Sequence, residues 1–218
     1  MLDDGTDSCA REVAPRSHWS EMRALIMVVS DAKKDVSSTA GMQQTVATSA
    51  LFATRAQTVV PQRMTEMEQA ILARDFETFA RVTMRESNSF HACCLDTDPP
   101  IFYLNDVSRA AIRAVEGINA RAGKVVAAYT FDAGPNCVVY FLEGSKGVVL
   151  GGLEGALGGK EGWEGGEAGS GGDGENGEER VMSALRDGVS RIIMTSVGEG
   201  PVSVQDHLVD ERGEVVKA

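Results

Sequence analysis

Fifteen of the 24 glycines in this chain of 218 residues fall between Gly144 and Gly177, and that crowding restricts the fold more than any other feature. A glycine inside a helix costs about 0.8–1 kcal/mol relative to alanine. The window at about 144–177 therefore reads as a flexible Gly/Glu-rich segment, and the packed core is assigned to the sequence on either side of it. Through Glu179 the window also holds eight acidic and two basic residues, a net −6 of the chain's −11. The remainder is moderately acidic, and 43% apolar residues overall are enough to build a core and exclude wholesale disorder. No cluster of Lys and Arg stands out, which argues against nucleic acid as a partner. The glycine doublets do not make a nucleotide loop. Gly158-Gly159-Lys160 lacks the following Ser or Thr, and no strand-bounded G-x-G-x-x-G occurs.

The four cysteines, Cys9, Cys93, Cys94 and Cys137, lack the spacing of a disulfide framework and read as free thiols of a reducing compartment. No apolar run approaches the roughly 18 residues that a membrane-spanning helix needs, and Met1 is not followed by a basic and then an apolar segment. These features point to a soluble, cytoplasmic protein with no membrane partner.

Residues 1–20 read as an irregular lead-in, with the domain occupying 21–218. The apolar run at 23–30 suits a buried strand. Ser37, Ser38 and Thr39 precede a long helical pattern, the chemistry of a helix start. Pro61 is expected to begin or kink the next helix, and Asp75 to cap a third that buries Phe76, Phe79 and Thr83. A fourth helix is expected from about Ile101 to Ala122, ended by Gly123. Residues 125–131 and 137–142 read as strands joined by Asp132-Ala-Gly-Pro-Asn136, a connection made of turn residues. Past the glycine window, 178–187 reads as a helix and 191–197 as a last strand. This order of elements is that of an α+β fold close to the split βαβ arrangement.

Asp132 is the best chemical candidate, because it stands where a strand runs into a Gly-Pro turn, and a carboxylate there can act as a general base. Its residue type alone leaves it open between that role and a plain turn residue. The hydroxyls of Ser37, Ser38 and Thr39 ahead of a helix can hold an anion or merely cap the helix. His91, Cys93 and Cys94 lack a second ligand pair at zinc-like spacing and read as core, with no metal assigned. His18 and Trp19 read as an interface or surface pair.

The order of the residues goes further. Tyr129-Thr-Phe-Asp-Ala-Gly-Pro-Asn136 is preceded by Asp35-Val-Ser-Ser-Thr39 with Gly41-Met42, by Ser87-Asn-Ser-Phe-His-Ala92 with Cys94-Leu-Asp96, and by Pro99-Pro-Ile-Phe-Tyr-Leu-Asn105. Together these blocks resemble the mevalonate diphosphate decarboxylase family of the GHMP kinase superfamily, over about residues 17–142 and again at 191–201. The resemblance implies a GHMP carboxy-terminal domain, a ferredoxin-like split βαβ sheet with covering helices. It also implies ATP-dependent decarboxylation of (R)-5-diphosphomevalonate to isopentenyl diphosphate, with Mg2+ on the nucleotide, by a cytoplasmic homodimer in isoprenoid and sterol biosynthesis. By the same resemblance Asp132 is catalytic and faces the tertiary hydroxyl of the substrate, while Ser38 and Thr39 bind substrate. The family's amino-terminal ATP-binding domain, with its Ser/Gly-rich phosphate loop, has no counterpart in these residues, so the chain is expected to be incomplete and inactive alone. Two other readings stay open here. One is a non-catalytic dimerisation or binding module derived from the decarboxylase, the other a different small-molecule kinase of the superfamily.

Overall fold

The computed structural model describes residues 10–29, 36–165, 176–200, 208–209, 212 and 214–215. Strand β1 (Met22–Val28) forms from the apolar run and is largely buried, because it lies inside the sheet. One of its edges pairs antiparallel with β3 (Cys137–Leu142), the other with β4 (Arg191–Ser196). Strand β2 (Ala127–Thr130) adds antiparallel to β3. The resulting order, β2-β3-β1-β4, is the expected split βαβ arrangement, with β3 inserted between β1 and the strand that follows it in sequence.

Five helices carry the chain from β1 to β2: α1 (Ser38–Thr48), α2 (Ala50–Thr54), α3 (Val60–Ala73), α4 (Phe76–Leu95) and α5 (Asp106–Ala122). Pro61 opens α3 as expected, after a π-helical turn at Arg55–Val59 that leads on from α2. The Asp75 carboxylate caps α4 by accepting from the Thr78 N–H at 3.1 Å, and Gly123 ends α5 at a φ of 64°. Helix α5 begins later than Ile101. Asn105 and Ser108 form a reciprocal capping box at its start, and Ile101 and Tyr103 are buried against Cys94 by tertiary packing rather than along a helix face.

Leu25, Met27, Val139 and Phe141 belong to the main core, which Val115 and Ile118 of α5 help to close. Met22 and Ala128 pack instead with Phe76 and Ala80 of α4. Trp19 joins this second cluster, which corrects its reading as half of an interface or surface pair. It is 7% exposed and meets Phe79 edge to face at 5.8 Å between ring centroids. A 3-10 turn at Arg16–Trp19 places it there, and His18 Nε2 lies 2.9 Å from the Ile71 carbonyl. The end of the lead-in is therefore part of the fold.

Between β3 and β4 run α6 (Lys146–Gly151), α7 (Glu154–Leu157) and α8 (Asn176–Gly188). The expectation of one flexible segment from 144 is thereby corrected for its first half. Val149, Leu150, Leu153 and Leu157 are no more than 3% exposed and belong to the main core. Burying each such side chain contributes about 1.5–3 kcal/mol, which outweighs the glycine penalty in helices this short. At Gly152 the missing side chain is itself a fit, since a Cβ would stand 2.5 Å from Ile118 Cγ1. Residues 166–175 of the window lie outside the described residues.

An ion-pair cluster ties α4 to the helices before it. Glu86 meets Arg55 at 2.8 Å and Arg63 at 2.5 Å, and Arg55 also donates to Ser89 Oγ at 3.0 Å. Burial pushes the Glu86 carboxyl up, but hydrogen bonds from Arg55 and Arg63, together with their charges, hold it below its ordinary value of 4.5. A carboxyl lowered on folding stabilises above its unfolded pKa and loses that contribution as pH falls through the folded value. Glu86→Gln is expected to cost about 1.5–3 kcal/mol at neutral pH, the scale of hydrogen bonds to a charged group. Urea unfolding of parent and variant should converge at acid pH; a gap independent of pH would show that the charge is irrelevant.

Candidate active site

Asp132 lies just past β2, on a short connection to β3 that is fastened at both ends. At its start the Phe131 N–H donates to Ser87 Oγ of α4 at 3.1 Å. At its end Asn136 Oδ1 accepts from the Val29 N–H at 2.8 Å, which ties the loop to the end of β1. Between them Ser108 Oγ donates to the Pro135 carbonyl at 3.1 Å, and the Gly134 N–H closes back on the Asp132 carbonyl at 2.8 Å. The Asp132 side chain is exposed. Among the described residues no hydrogen bond or ion pair occupies its carboxylate, so it is free to accept one from a ligand.

Ser37 is the N-cap of α1, its hydroxyl accepting from the Ala40 N–H at 3.1 Å, so the capping reading holds for that residue. Ser38 and Thr39 form the first turn, both exposed, and neither hydroxyl has a hydrogen-bond partner among the described residues. Asp35 lies outside the described residues. The start of α1 is held by Tyr103, whose hydroxyl donates to the Ser37 carbonyl at 3.4 Å and lies against Gly41, where a Cβ would stand 2.3 Å away. Tyr103 in turn packs with Cys94, Ile101, Phe90 and Ala133. Ala133 follows Asp132, so one small cluster joins the hydroxyl-bearing turn to the carboxylate-bearing loop.

Gly41 gives a test of this contact. Alanine is the better helix former by about 1 kcal/mol, yet overpacking costs about 1–3 kcal/mol, so Gly41→Ala is expected to destabilise. Tyr103→Phe removes the atom in the way, and the next nearest atoms stand at 3.4 Å. In that background Gly41→Ala should become neutral or stabilising by thermal unfolding. An equal penalty in both backgrounds would refute the contact.

Several residues that shape the site were not singled out from sequence. Ser87 and Ser108 place the loop, and Asn136 does more than complete a turn. The Asn105-x-x-Ser108 spacing is a readable capping signal; nothing local marks Ser87 as a loop anchor. Asp96 accepts from Ser49 Oγ at 2.8 Å and from the Leu51 N–H at 3.1 Å, and these bonds, the Leu51 N–H first, lower its pKa. Cys93 and Cys94 are buried, and burial pushes the Cys94 thiol up to about 11, which suits core packing. Among the described residues no group of three or more His, Cys, Asp and Glu could hold a metal ion.

The family model described as the mevalonate 5-diphosphate decarboxylase C-terminal domain matches residues 24–204. Diphosphomevalonate decarboxylase mvd1 of Aspergillus fumigatus is 56% identical over 98% of this chain and 55% of its own length. A crystal structure of mevalonate 5-diphosphate decarboxylase superposes with a TM-score of 0.82 at 40% identity, over 99% of this chain and 57% of that one. A further structure, MDDEF in complex with MVAPP, AMPPCP and magnesium, has a TM-score of 0.58 at 28% identity, over 65% of this chain and 42% of that one. The chain thus spans about half the length of the relatives it matches. On this agreement of sequence and fold, the chain belongs to the mevalonate 5-diphosphate decarboxylase family and spans its C-terminal domain.

Proposed function

We propose that this chain supplies the proton-accepting half of an ATP-dependent decarboxylase that converts (R)-5-diphosphomevalonate to isopentenyl diphosphate, ADP, phosphate and carbon dioxide. The observation that carries the reading is the free, exposed carboxylate of Asp132 on a loop tied to β1, α4 and α5, joined through Tyr103 to the exposed hydroxyls of Ser38 and Thr39. Asp132 accepts the proton of the substrate's tertiary hydroxyl as that oxygen attacks the γ-phosphate of ATP and ADP departs. The new phosphate ester then leaves as phosphate, the adjacent carboxylate leaves as carbon dioxide, and the electrons of the broken carbon–carbon bond form the double bond. Positive charge develops at the carbon that bore the hydroxyl, where Asp132 also stabilises it. Ser38 and Thr39 donate to an anionic oxygen of the substrate at the start of α1, where the helix dipole favours negative charge.

ATP and MVAPP enter as substrates, and the ligands of the MDDEF structure support both. Magnesium would come with the nucleotide phosphates. The described residues offer it no ligand set, and the sequence contains no phosphate loop, so neither is given a place on this chain. No helix among the described residues is long and apolar enough to cross a membrane; a cytoplasmic homodimer goes with the same reading.

Joining this chain to the portion of the Aspergillus fumigatus relative that it does not span gives the decisive assay. The chimera is expected to release carbon dioxide from diphosphomevalonate only with ATP, and the chain alone to release none. A folded chimera that binds both substrates without turnover would overturn the reading in favour of a non-catalytic module.

A further inference from the structure

Among the described residues one buried side-chain polar atom lacks a hydrogen-bond partner, Nε2 of His91. The residue is 6% exposed and stands one turn after Ser87 on α4. From this helix Ser87 takes the Phe131 N–H and Asn88 Nδ2 donates to the Tyr129 hydroxyl at 2.9 Å, so α4 grips the end of β2. The imidazole meets Phe131 edge to face at 6.3 Å and Tyr103 in the same manner at 6.4 Å. One ring therefore touches both arms of the candidate site, since Phe131 precedes Asp132 and Tyr103 holds the start of α1.

A phenyl ring would fill this space without a bare nitrogen. A buried polar atom left unpaired costs about 1–3 kcal/mol, and nearly all such atoms are paired in folded proteins. An imidazole here is thus the less stable choice for packing alone. The titratable groups around it are Cys94 on its own helix, Tyr103 on the connection to α5, and Asp132 on the loop. Burial lowers the His91 pKa, while a backbone hydrogen bond at Phe131 and the charge of Asp132 act the other way. The ring is therefore packed against the Asp132 loop through Phe131, and the charge of Asp132 acts on it there.

We infer that His91 is a positioning residue, whose imidazole fixes the Phe131–Asp132 backbone against Tyr103 and so sets where the Asp132 carboxylate stands relative to the hydroxyls of Ser38 and Thr39. The inference rests on the role proposed for Asp132, but the coupling it describes is measurable without turnover. In the full chain labelled with 15N, imidazole and backbone NMR are compared among the parent, His91→Phe, His91→Gln and Asp132→Asn. His91 is expected to hold a single neutral tautomer at pH 7, and Asp132→Asn to shift its titration midpoint downward, because the charge favouring imidazolium is gone. His91→Phe is expected to move the amide resonances of residues 131–134 and Tyr103, and His91→Gln, which keeps a donor, to restore them toward the parent. Unmoved amides at 131–134 in a folded His91→Phe would overturn the inference. Should that variant fail to fold, a His91 midpoint indifferent to Asp132→Asn overturns it instead. If the chimera shows no turnover while the coupling is present, only the proposed reaction fails; if turnover is normal and the coupling absent, only the positioning role fails.

Discussion

Asp132→Asn, made in the chimera with the Aspergillus fumigatus relative, is expected to lower kcat for carbon dioxide release by about 100- to 10,000-fold, the usual contribution of a positioned general base. At about 1.4 kcal/mol per factor of ten this is roughly 3–6 kcal/mol of transition-state stabilisation. The substitution is informative because the loop does not depend on the carboxylate. Its shape is held by Ser87 on the Phe131 N–H, Ser108 on the Pro135 carbonyl and Asn136 on the Val29 N–H. Asparagine keeps the size of the side chain and leaves those bonds in place, so KM should change far less than kcat. A loss confined to KM would mean that Asp132 only binds substrate. Turnover close to the parent's would remove Asp132 from the chemistry altogether.

The second large effect concerns the core. Leu157→Ala is expected to cost about 2–5 kcal/mol, the range for truncating a leucine in a closed core, and Leu153→Ala a similar amount. Both side chains are 0% exposed, and both belong to the cluster that includes Leu25, Phe141 and Leu185. For a domain of this size each kcal/mol lowers Tm by about 2–4 °C, so a thermal melt resolves the change easily. A shift near zero for both variants would mean that residues 144–157 are indeed a loose low-complexity stretch.

Where local chemistry decides, the sequence was informative. The strand at 137–142 matches β3, Asp75 caps α4, Pro61 opens α3, and the order of strands and helices led to the split βαβ sheet. Tertiary context decided the rest. Ile101 and Tyr103 fell inside the expected helix but lie ahead of it, buried against Cys94, and α5 waits for its capping box at Asn105. Glycine content argued against order after β3, whereas Val149, Leu150, Leu153 and Leu157 were enough to fold that stretch onto α5. Trp19 read as an interface or surface residue because the helix that buries it is distant in sequence. At the proposed site, Asp132, Ser38 and Thr39 were singled out by their motifs, and all three are exposed. The anchors Ser87 and Ser108 were not, because a serine that positions a loop more than 25 residues away leaves no local pattern.

The place of β1 in the sheet bears on how the chain is made. Met27 must find Cys137 and Val28 must find Arg191, so β1 leaves the ribosome before both of its partner strands and lacks a pair on either edge until they follow. At about 5–20 residues per second, roughly 8–30 seconds separate β1 from β4. Pairings so distant in sequence slow folding, and an apolar strand with open edges invites association with other chains. Until β4 closes the sheet, early helices or a chaperone must keep the nascent β1 covered.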